Sequence, residues 1–196
     1  MEVSSSIRFA GPFNLPISST EDRFYLSAIQ ECDAPNIYSI LCPTNILSAD
    51  IHKWSRLIPN PYSLSDAEFF VSKCLSLYSE THTCTTWAIR NDQKEFIGCI
   101  GLLLLGESSY NISSDFYLSE SSYEIGYYIS PNYRNLGITS SALKFVCDEI
   151  VFSGLGLSHL YAMVFVGNVK SERILKKSGF KFEKILKDAS VKNDKK

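Results

Sequence analysis

Two polar residues near the end of the chain interrupt what is otherwise an ordinary amphipathic helix. The segment NVKSERILKKSGF opens with Asn168, and Ser171 follows three residues later. An amide side chain both donates and accepts hydrogen bonds, and residues three apart share one side of a helix. The two polar side chains would therefore share one side of the helix, and Asn168 is a suitable N-cap for it.

A second candidate site lies where a strand passes directly into a helix. In YEIGYYISPNYRNLGITSSALKFV the apolar strand is followed by Pro131 and a turn that ends near Gly137. Backbone N–H groups and the positive end of a helix dipole meet at such a junction, which favours an anion such as pyrophosphate. Gly137 would let a phosphate approach closely, and Arg134 could add a charge-assisted hydrogen bond. A simple glycine turn is the alternative.

Taken together, the two segments resemble the GNAT superfamily of acetyl-coenzyme A dependent N-acetyltransferases. The family's loop reads Arg/Gln-x-x-Gly-x-Gly/Ala after a strand, and the matching loop here is formed by Arg134, Asn135, Leu136, Gly137, Ile138 and Thr139. Thr139 replaces the last small residue, and Asn135 stands where a second Gly is frequent. Neither departure removes a backbone N–H, because only proline would do so. The resemblance implies that this loop holds the pyrophosphate of coenzyme A.

The resemblance also implies where the pantetheine arm of coenzyme A would lie. In the family, Asn-x-x-Ser/Ala followed by Lys-x-Gly-Phe marks one wall of the arm's binding site, and this chain has the matching residues Asn168, Ser171, Lys177, Gly179 and Phe180. The strand before the loop separates from its neighbour in this family, and its free backbone groups bind the arm. The implied binding positions are Tyr127, Tyr128 and Ile129, and Gly126 would ease the separation.

A third segment narrows the resemblance to one branch of the superfamily. PNPYSLSDAEFFV is similar to the Pro-Tyr-x-x-x-Asp-Ala segment of the ribosomal-protein-N-acetyltransferase (RimJ/RimL-like) branch, and the likeness runs from about Phe24 to Leu186. Many other GNAT enzymes carry a Tyr as general acid four residues beyond the Ser/Ala position, but Leu175 stands there in this chain. We therefore expect Ser171 to act as the catalytic acid.

Acetyl transfer to an amine also requires a base. An amine with a pKa near 10.4 is neutral about once in ~10³ molecules at pH 7, so a general base contributes materially. Enzymes of the superfamily often carry a catalytic Glu early in the strand that leads to the loop, and Glu124 lies there, ten residues before Arg134. The alternative is a Glu that faces solvent or fixes a loop. Strand alternation puts Glu124, Gly126 and Tyr128 on one face.

The expected function is transfer of an acetyl group from acetyl-coenzyme A to a primary amine by direct attack in a ternary complex, without a metal or a covalent enzyme intermediate. The amine could belong to a protein N-terminus, a lysine, a polyamine or another small molecule. The alternative is a non-catalytic coenzyme A sensor or interaction module. A long polar loop at 106–122 carries acidic residues that could attract a cationic amine, namely Glu107, Asp115 and Glu120.

The order of apolar runs and helical periodicity predicts an α/β fold with a mixed, mostly antiparallel sheet flanked by helices on both faces. The predicted strands are 24–29, 83–90, 96–105, 123–129, 160–166 and a last strand starting near Phe180. The predicted helices begin at Asp33 and after Ser63, and span 137–152 and 169–177. We expect a lead-in segment at 1–21, one domain at 22–187 and a polar tail at 188–196.

Composition excludes several other classes of protein. With 45% hydrophobic and 20% charged residues and a net charge of −2, the chain lacks the basic field that binds nucleic acid or an anionic membrane. The six cysteines are scattered, which favours reduced thiols over a zinc site. The N-terminus does not read as a signal peptide, so we expect a cytosolic or nuclear protein, either monomeric or homodimeric.

Overall fold

The structure, a computed structural model, describes residues 8–17, 20–105, 122–187 and 189. Within these residues the strands form one sheet whose spatial order follows the chain. The strands are β1 (Phe13–Asn14), β2 (Tyr25–Ala28), β3 (Thr86–Arg90), β4 (Phe96–Leu104), β5 (Tyr123–Ile129) and β6 (Leu160–Tyr161). Neighbours from β1 to β5 run antiparallel, whereas β5 and β6 run parallel. The predicted mixed, mostly antiparallel sheet is confirmed.

Helices cover both faces of this sheet, as predicted. They are α1 (Ala34–Leu41), α2 (Ala49–Trp54), α3 (Leu64–Thr81), α4 (Ile138–Phe145) and α5 (Val169–Lys177). Tyr127 of β5 reaches Ser171 in α5, whereas Tyr128 lies close enough to Tyr62, just before α3, for the two side chains to interact. Because successive strand residues point to opposite faces, α3 and α5 lie on opposite sides of the sheet.

The start of α3 is determined by its sequence. Ser63 accepts a hydrogen bond from the backbone N–H of Asp66, and the Asp66 carboxylate accepts one from the Ser63 N–H at 2.8 Å. This reciprocal capping box satisfies N–H groups that the first helical turn leaves without partners. The buried residues of α3 recur three or four positions apart, at Ala67, Val71, Cys74 and Tyr78. The predicted capped helix is therefore confirmed.

A buried ion pair joins the start of α1 to the central sheet. Asp33, the predicted opening residue of this helix, accepts hydrogen bonds from the Arg90 guanidinium at 2.7 and 2.8 Å. The same carboxylate accepts the Gln30 N–H at 2.8 Å. Both charged side chains are at most 3% exposed, so each depends on the other for its hydrogen bonds.

Part of the predicted lead-in segment belongs to the sheet. Phe13 in β1 pairs with Leu26, and its ring lies 5.1 Å from that of Phe145. The indole N–H of Trp87, a residue with no exposed surface, donates to the Phe9 carbonyl at 2.7 Å. Residues 8–17 therefore supply both an edge strand and a buried hydrogen-bond acceptor. The division of the chain at residue 22 stays a prediction.

Three predicted elements differ from the structure. The strand predicted at 160–166 ends at Tyr161, because the chain then leaves β5 and loses its pairing partner. The strand predicted from Phe180 is wrong, since residues 180–186 have no regular secondary structure and the short β6 offers little edge for pairing. The helix predicted at 137–152 is α-helical only to Phe145 and continues as a π-helix to Phe152. The helix α2 was not predicted.

All six cysteines are free thiols, and four of them are buried: Cys74, Cys84, Cys99 and Cys147. Within the described part of the chain, no helix has the length and apolar character needed to cross a bilayer. The same residues contain no group of three or more His, Cys, Asp or Glu side chains placed to hold a metal ion.

Candidate active site

The strands β5 and β6 separate in the middle of the sheet. They pair only at Tyr123 with Leu160 and at Glu124 with Tyr161, whereas β4 stays paired with β5 as far as Ile129. From residue 125 onward, the edge of β5 that faces β6 has no strand partner among the described residues. Such an edge leaves backbone N–H and C=O groups available to an extended, amide-bearing ligand. This gap has the form that the family resemblance implied.

Open space lies beside Gly126 on the unpaired part of β5. A Cβ atom built on Gly126 would meet no atom of the described residues within 4 Å. Gly98 on the neighbouring strand differs, because its Cβ would lie 2.5 Å from the Tyr128 carbonyl oxygen. Gly98 is therefore required for close strand packing, whereas Gly126 borders open space. By alternation along β5, this space lies on the face shared by Glu124 and Tyr128.

Glu124 lies at the point where the two strands part. It occupies the last paired position, opposite Tyr161, and the residue is 6% exposed. The alternative that Glu124 faces solvent is therefore wrong. A carboxylate held on a strand, next to the open space at Gly126, could accept a proton from a group bound in the gap. Its role as a general base stays a prediction.

Two hydroxyl groups meet on the opposite face of β5. The Tyr127 and Ser171 hydroxyl oxygens lie 2.9 Å apart, which is hydrogen-bond distance, and both residues are half-buried. Burial raises the pKa of Tyr127, and the hydrogen bond with Ser171 acts in the other direction. Tyr127 therefore remains a protonated donor at neutral pH. The family resemblance implied Ser171 as an acid and Tyr127 as a backbone ligand, but nothing in the sequence indicated that their hydroxyls would meet.

Asn168 begins α5 in the manner of an N-cap. Its side-chain oxygen accepts the Ser171 N–H at 3.3 Å, so the capping alternative is confirmed. The oxygen is thus engaged, and the amide NH₂ is the part of Asn168 suited to donate to a ligand. The cap also fixes Ser171 one turn into the helix, with its side chain toward Tyr127.

The other end of α5 forms a Schellman motif. Phe180 N–H donates to the Leu175 carbonyl at 3.0 Å, and Gly179 N–H donates to the Lys176 carbonyl at 3.2 Å. Gly179 has φ of +89°, the left-handed conformation that this motif needs. Leu175, which stands where many GNAT enzymes carry a catalytic Tyr, is 7% exposed and packs in the core. The motif and Leu175 therefore anchor α5 against the sheet.

The turn before α4 forms an open cradle of backbone groups. Gly137 is the N-cap residue of α4, with φ of +78°, and an added Cβ there would meet no described atom within 4 Å. Since glycine has no side chain, nothing at this position caps the first-turn N–H groups. Asn135 is also left-handed, with φ of +64°. Asn is one of the few residues that adopts this conformation readily, which explains why it can stand where the family often has Gly.

The side chains of the cradle divide into buried and charged groups. Ile138 and Thr139 are 1% and 8% exposed, so they could serve a ligand in the cradle only through their backbone. On β5, the ring of Tyr128 lies 6.4 Å from that of Phe96, so the Tyr128 side chain packs against its neighbours and only its backbone could bind a ligand. The Arg134 guanidinium forms an ion pair with Asp50 at 3.3 Å.

Asp50 was not predicted as a site residue, because α2 was not recognised in the sequence, and Lys170 lies in the predicted helix α5 but has its partner Asp50 120 residues away in the chain. The loop predicted at 106–122, with its acidic residues, lies outside the described residues except for Ser122.

Comparison with known proteins agrees with this geometry. Residues 23–181 match the family model described as "Acetyltransferase (GNAT) domain". The chain is 32% identical to the uncharacterized N-acetyltransferase YoaA of Bacillus subtilis over 178 residues, which is 91% of this chain and 90% of YoaA.

Solved structures share the fold at low sequence identity. RimL, the ribosomal L7/L12 alpha-N-protein acetyltransferase, in complex with coenzyme A, has 16% identity and a TM-score of 0.67 over 93% of this chain and 92% of its own. The microcin C7 self-immunity acetyltransferase MccE, in complex with acetyl-CoA and AMP, has 16% identity and a TM-score of 0.69 over 96% and 92%. With the family match covering most of its length, this chain belongs to the GNAT family of acetyltransferases.

Proposed function

We propose that this protein transfers an acetyl group from acetyl-coenzyme A to a primary amine by direct attack in a ternary complex. The observation that carries the proposal is the separation of β5 from β6 at the buried Glu124, next to the open space at Gly126. The same strand leads to the open cradle at Gly137. A long, flexible thioester with a diphosphate at one end fits this combination of gap and cradle.

Acetyl-coenzyme A supplies an acetyl group activated as a thioester. The N–H groups from Leu136 to Thr139 and the Arg134 guanidinium hold its pyrophosphate. The unpaired backbone edge at Tyr127, Tyr128 and Ile129 and the side-chain amide of Asn168 hold its pantetheine arm. The open space at Gly137 and the edge of β5 beyond Glu124 both support this fit, because no described atom lies within 4 Å of a Cβ added at Gly137 and that edge has no strand partner among the described residues.

Glu124 accepts the proton of the incoming amine, directly or through one water molecule. The buried carboxylate lies on the face of β5 that borders the open space, where an acceptor can approach. Deprotonation is needed because an ordinary amine is almost entirely cationic at neutral pH.

Ser171 donates a proton to the departing sulfur from the opposite face of β5. Its hydroxyl is hydrogen-bonded to Tyr127, which acts as a positioning residue and a second proton donor behind it. The base and the acid thus act from opposite faces of β5. Glu124 lies on the face where the amine approaches, and Ser171 lies on the face where the thiolate of coenzyme A departs. The buried Leu175 leaves the acid role to this hydroxyl pair.

The acceptor is a primary amine, whose class we leave as a protein N-terminus, a lysine, a polyamine or another small amine. RimL is named for acetylation of a protein α-amino group, and MccE is named for self-immunity to a microcin. The two names point to different biological roles, so peptides and small amines are both worth testing as acceptors.

A thiol-release assay with acetyl-coenzyme A against a panel of peptides and small amines tests the proposal. We expect free coenzyme A to appear in proportion to an acetylated product identified by mass spectrometry. Calorimetry with acetyl-coenzyme A in the absence of any amine provides the companion measurement. Tight binding without turnover of any amine would contradict the enzymatic function and favour a coenzyme A sensor.

A further inference from the structure

One carboxylate oxygen joins two cations that come from different elements. Asp50 Oδ2 accepts hydrogen bonds from Arg134 Nη1 at 3.3 Å and from Lys170 Nζ at 2.9 Å. Arg134 precedes the cradle before α4, and Lys170 lies in the first turn of α5. These two elements follow β5 and β6, the strands that border the gap. Asp50 therefore occupies the point where positive charges from both sides of the gap converge.

Asp50 is held at this point by the rest of α2. The neighbouring Ile51 and His52 are 7% and 8% exposed, and the His52 ring hydrogen-bonds to the last carbonyl of α1 at 2.7 Å. At the end of α2, the Trp54 ring lies near Gly167, 3.8 Å from where an added Cβ would stand, next to the start of α5. The His52 hydrogen bond and the buried Ile51 hold α2 in place, so that Asp50 stands between the two cations, whose side chains are 25% exposed for Arg134 and 74% exposed for Lys170.

The pair of cations has the geometry of a phosphate site. Two cationic donors within hydrogen-bond distance of one oxygen suit a phosphate oxygen at least as well as a carboxylate oxygen, because a phosphate group presents more acceptor oxygens. The Lys170 hydrogen bond lowers the pKa of Asp50, so this carboxylate is ionised at neutral pH. The open cradle at Gly137 lies three residues beyond Arg134.

Resting on the proposed function, we propose that Lys170 joins Arg134 in binding a phosphate group of coenzyme A, and that Asp50 is an internal anion which holds both cations until that phosphate displaces it. Binding then breaks two ion pairs and brings a phosphate close to a carboxylate. Asp50 consequently arranges the cations before the ligand arrives and weakens the ligand's affinity. The exchange needs only side-chain movement, so α2 can remain in place.

Replacing the carboxylate tests the exchange. Asp50→Asn should bind coenzyme A more tightly, by about three- to tenfold by calorimetry, because neither ion pair has to be broken. Inorganic pyrophosphate should also raise the Tm of Asp50→Asn more than that of the wild type. Asp148→Asn is the matched control, since it removes the carboxylate of another exposed ion pair, with Lys144 at 2.6 Å, outside this cluster. Affinity in this control should stay at the wild-type value.

Removing the second cation tests the assignment of Lys170. Lys170→Met should weaken coenzyme A binding by about three- to tenfold and leave binding of pantetheine, which has no phosphate, unchanged. Asp50→Asn should increase the affinity for coenzyme A less in a Lys170→Met background than in the wild-type background, because Asp50 has then already lost one of its two cationic partners.

Two results would overturn the inference while leaving the proposed function intact. The first is that the wild-type protein binds coenzyme A and that Asp50→Asn binds it no more tightly. Asp50 would then have no effect on the phosphate site or would support binding. The second is unchanged binding by Lys170→Met. A wild-type protein that binds no coenzyme A would overturn the inference and the proposed function together.

Discussion

Glu124 lies opposite Tyr161 at the last position where β5 and β6 pair, and the two strands part directly beyond it. The carboxylate is therefore carried by a residue whose backbone is fixed on both sides, by β4 and by β6. A base at this position is next to the gap, and no movement of the strand is needed to bring it there.

Replacing Glu124 by Gln should keep its shape and remove the base. General-base loss typically costs 10² to 10⁴ in rate, on the order of 3 to 5 kcal/mol, so kcat/KM should fall by about that factor. In the wild type, kcat/KM should rise with pH through an apparent pKa of the base or the amine. In Glu124→Gln it should keep rising toward the pKa of the amine itself, because bulk solvent then removes the proton. The exposed Glu149→Gln is the matched control. A wild-type rate and pH profile in Glu124→Gln would remove it from the mechanism.

Ser171→Ala should lower kcat by about one or two orders of magnitude and leave coenzyme A affinity nearly unchanged. Tyr127→Phe should lower kcat less, since Ser171 keeps its hydroxyl, and the double variant should be no slower than Ser171→Ala. Because burial raises the pKa of Tyr127, its loss of a proton should not reduce the rate between about pH 7 and pH 9. Single-turnover kinetics measure these effects. Fully additive losses in the double variant would mean that the two hydroxyls act independently.

Gly126→Val should place a side chain in the open space beside Glu124. No backbone strain is expected, since Gly126 is not among the residues with positive φ, so the Tm should stay the same or rise slightly. Acetyl transfer should fall by about 10²-fold, because the reacting groups can no longer approach. Gly98→Ala offers the contrast, since its Cβ would lie 2.5 Å from a backbone oxygen and should lower the Tm. Full activity in Gly126→Val would exclude this space from the site.

Gly137→Glu should abolish coenzyme A binding in calorimetry while the protein stays folded. The added side chain has room at this position, because no described atom lies within 4 Å of the added Cβ. Its carboxylate would fill the cradle and repel the pyrophosphate. Gly156→Glu is a closely matched control, because Gly156 also has positive φ, +67°, and open space around it, but lies outside the site. Both variants should show similar thermal stability by circular dichroism, and only Gly137→Glu should lose binding. Retained binding in Gly137→Glu would refute the cradle assignment.

Local sequence signals predicted the elements whose ends depend on their own residues. The Ser63 and Asp66 capping pair marked the start of α3, and Gly179 marked the end of α5. The alternating residues of β5 gave its bounds and its two faces. These features rest on hydrogen bonds between residues close together in the chain, so a pattern of residue types is enough to reveal them.

Features that depend on distant contacts could not be read in the same way. The helix α2 has only six residues, and its position depends on the hydrogen bond from His52 to the Leu41 carbonyl at the end of α1. The same limit applies to the Tyr127–Ser171 hydrogen bond, whose partners are 44 residues apart. The strand predicted at 160–166 shows the same dependence on distant contacts. Its residues favour a strand, but they have no pairing partner once the chain leaves β5.

The edge strand β1 affects how the protein can be shortened for expression. The family match begins at residue 23, and a fragment cut there would lack β1 and the Phe9 carbonyl. The outer edge of β2 would then be open to pairing with other molecules, which promotes aggregation. The Trp87 indole N–H would lose its acceptor inside the core, at a cost of about 1 to 3 kcal/mol. A fragment chosen by family boundaries alone would thus be expected to form inclusion bodies or to express poorly, whereas one that retains residues 8–22 keeps β1 paired with β2 and keeps the acceptor of the Trp87 indole.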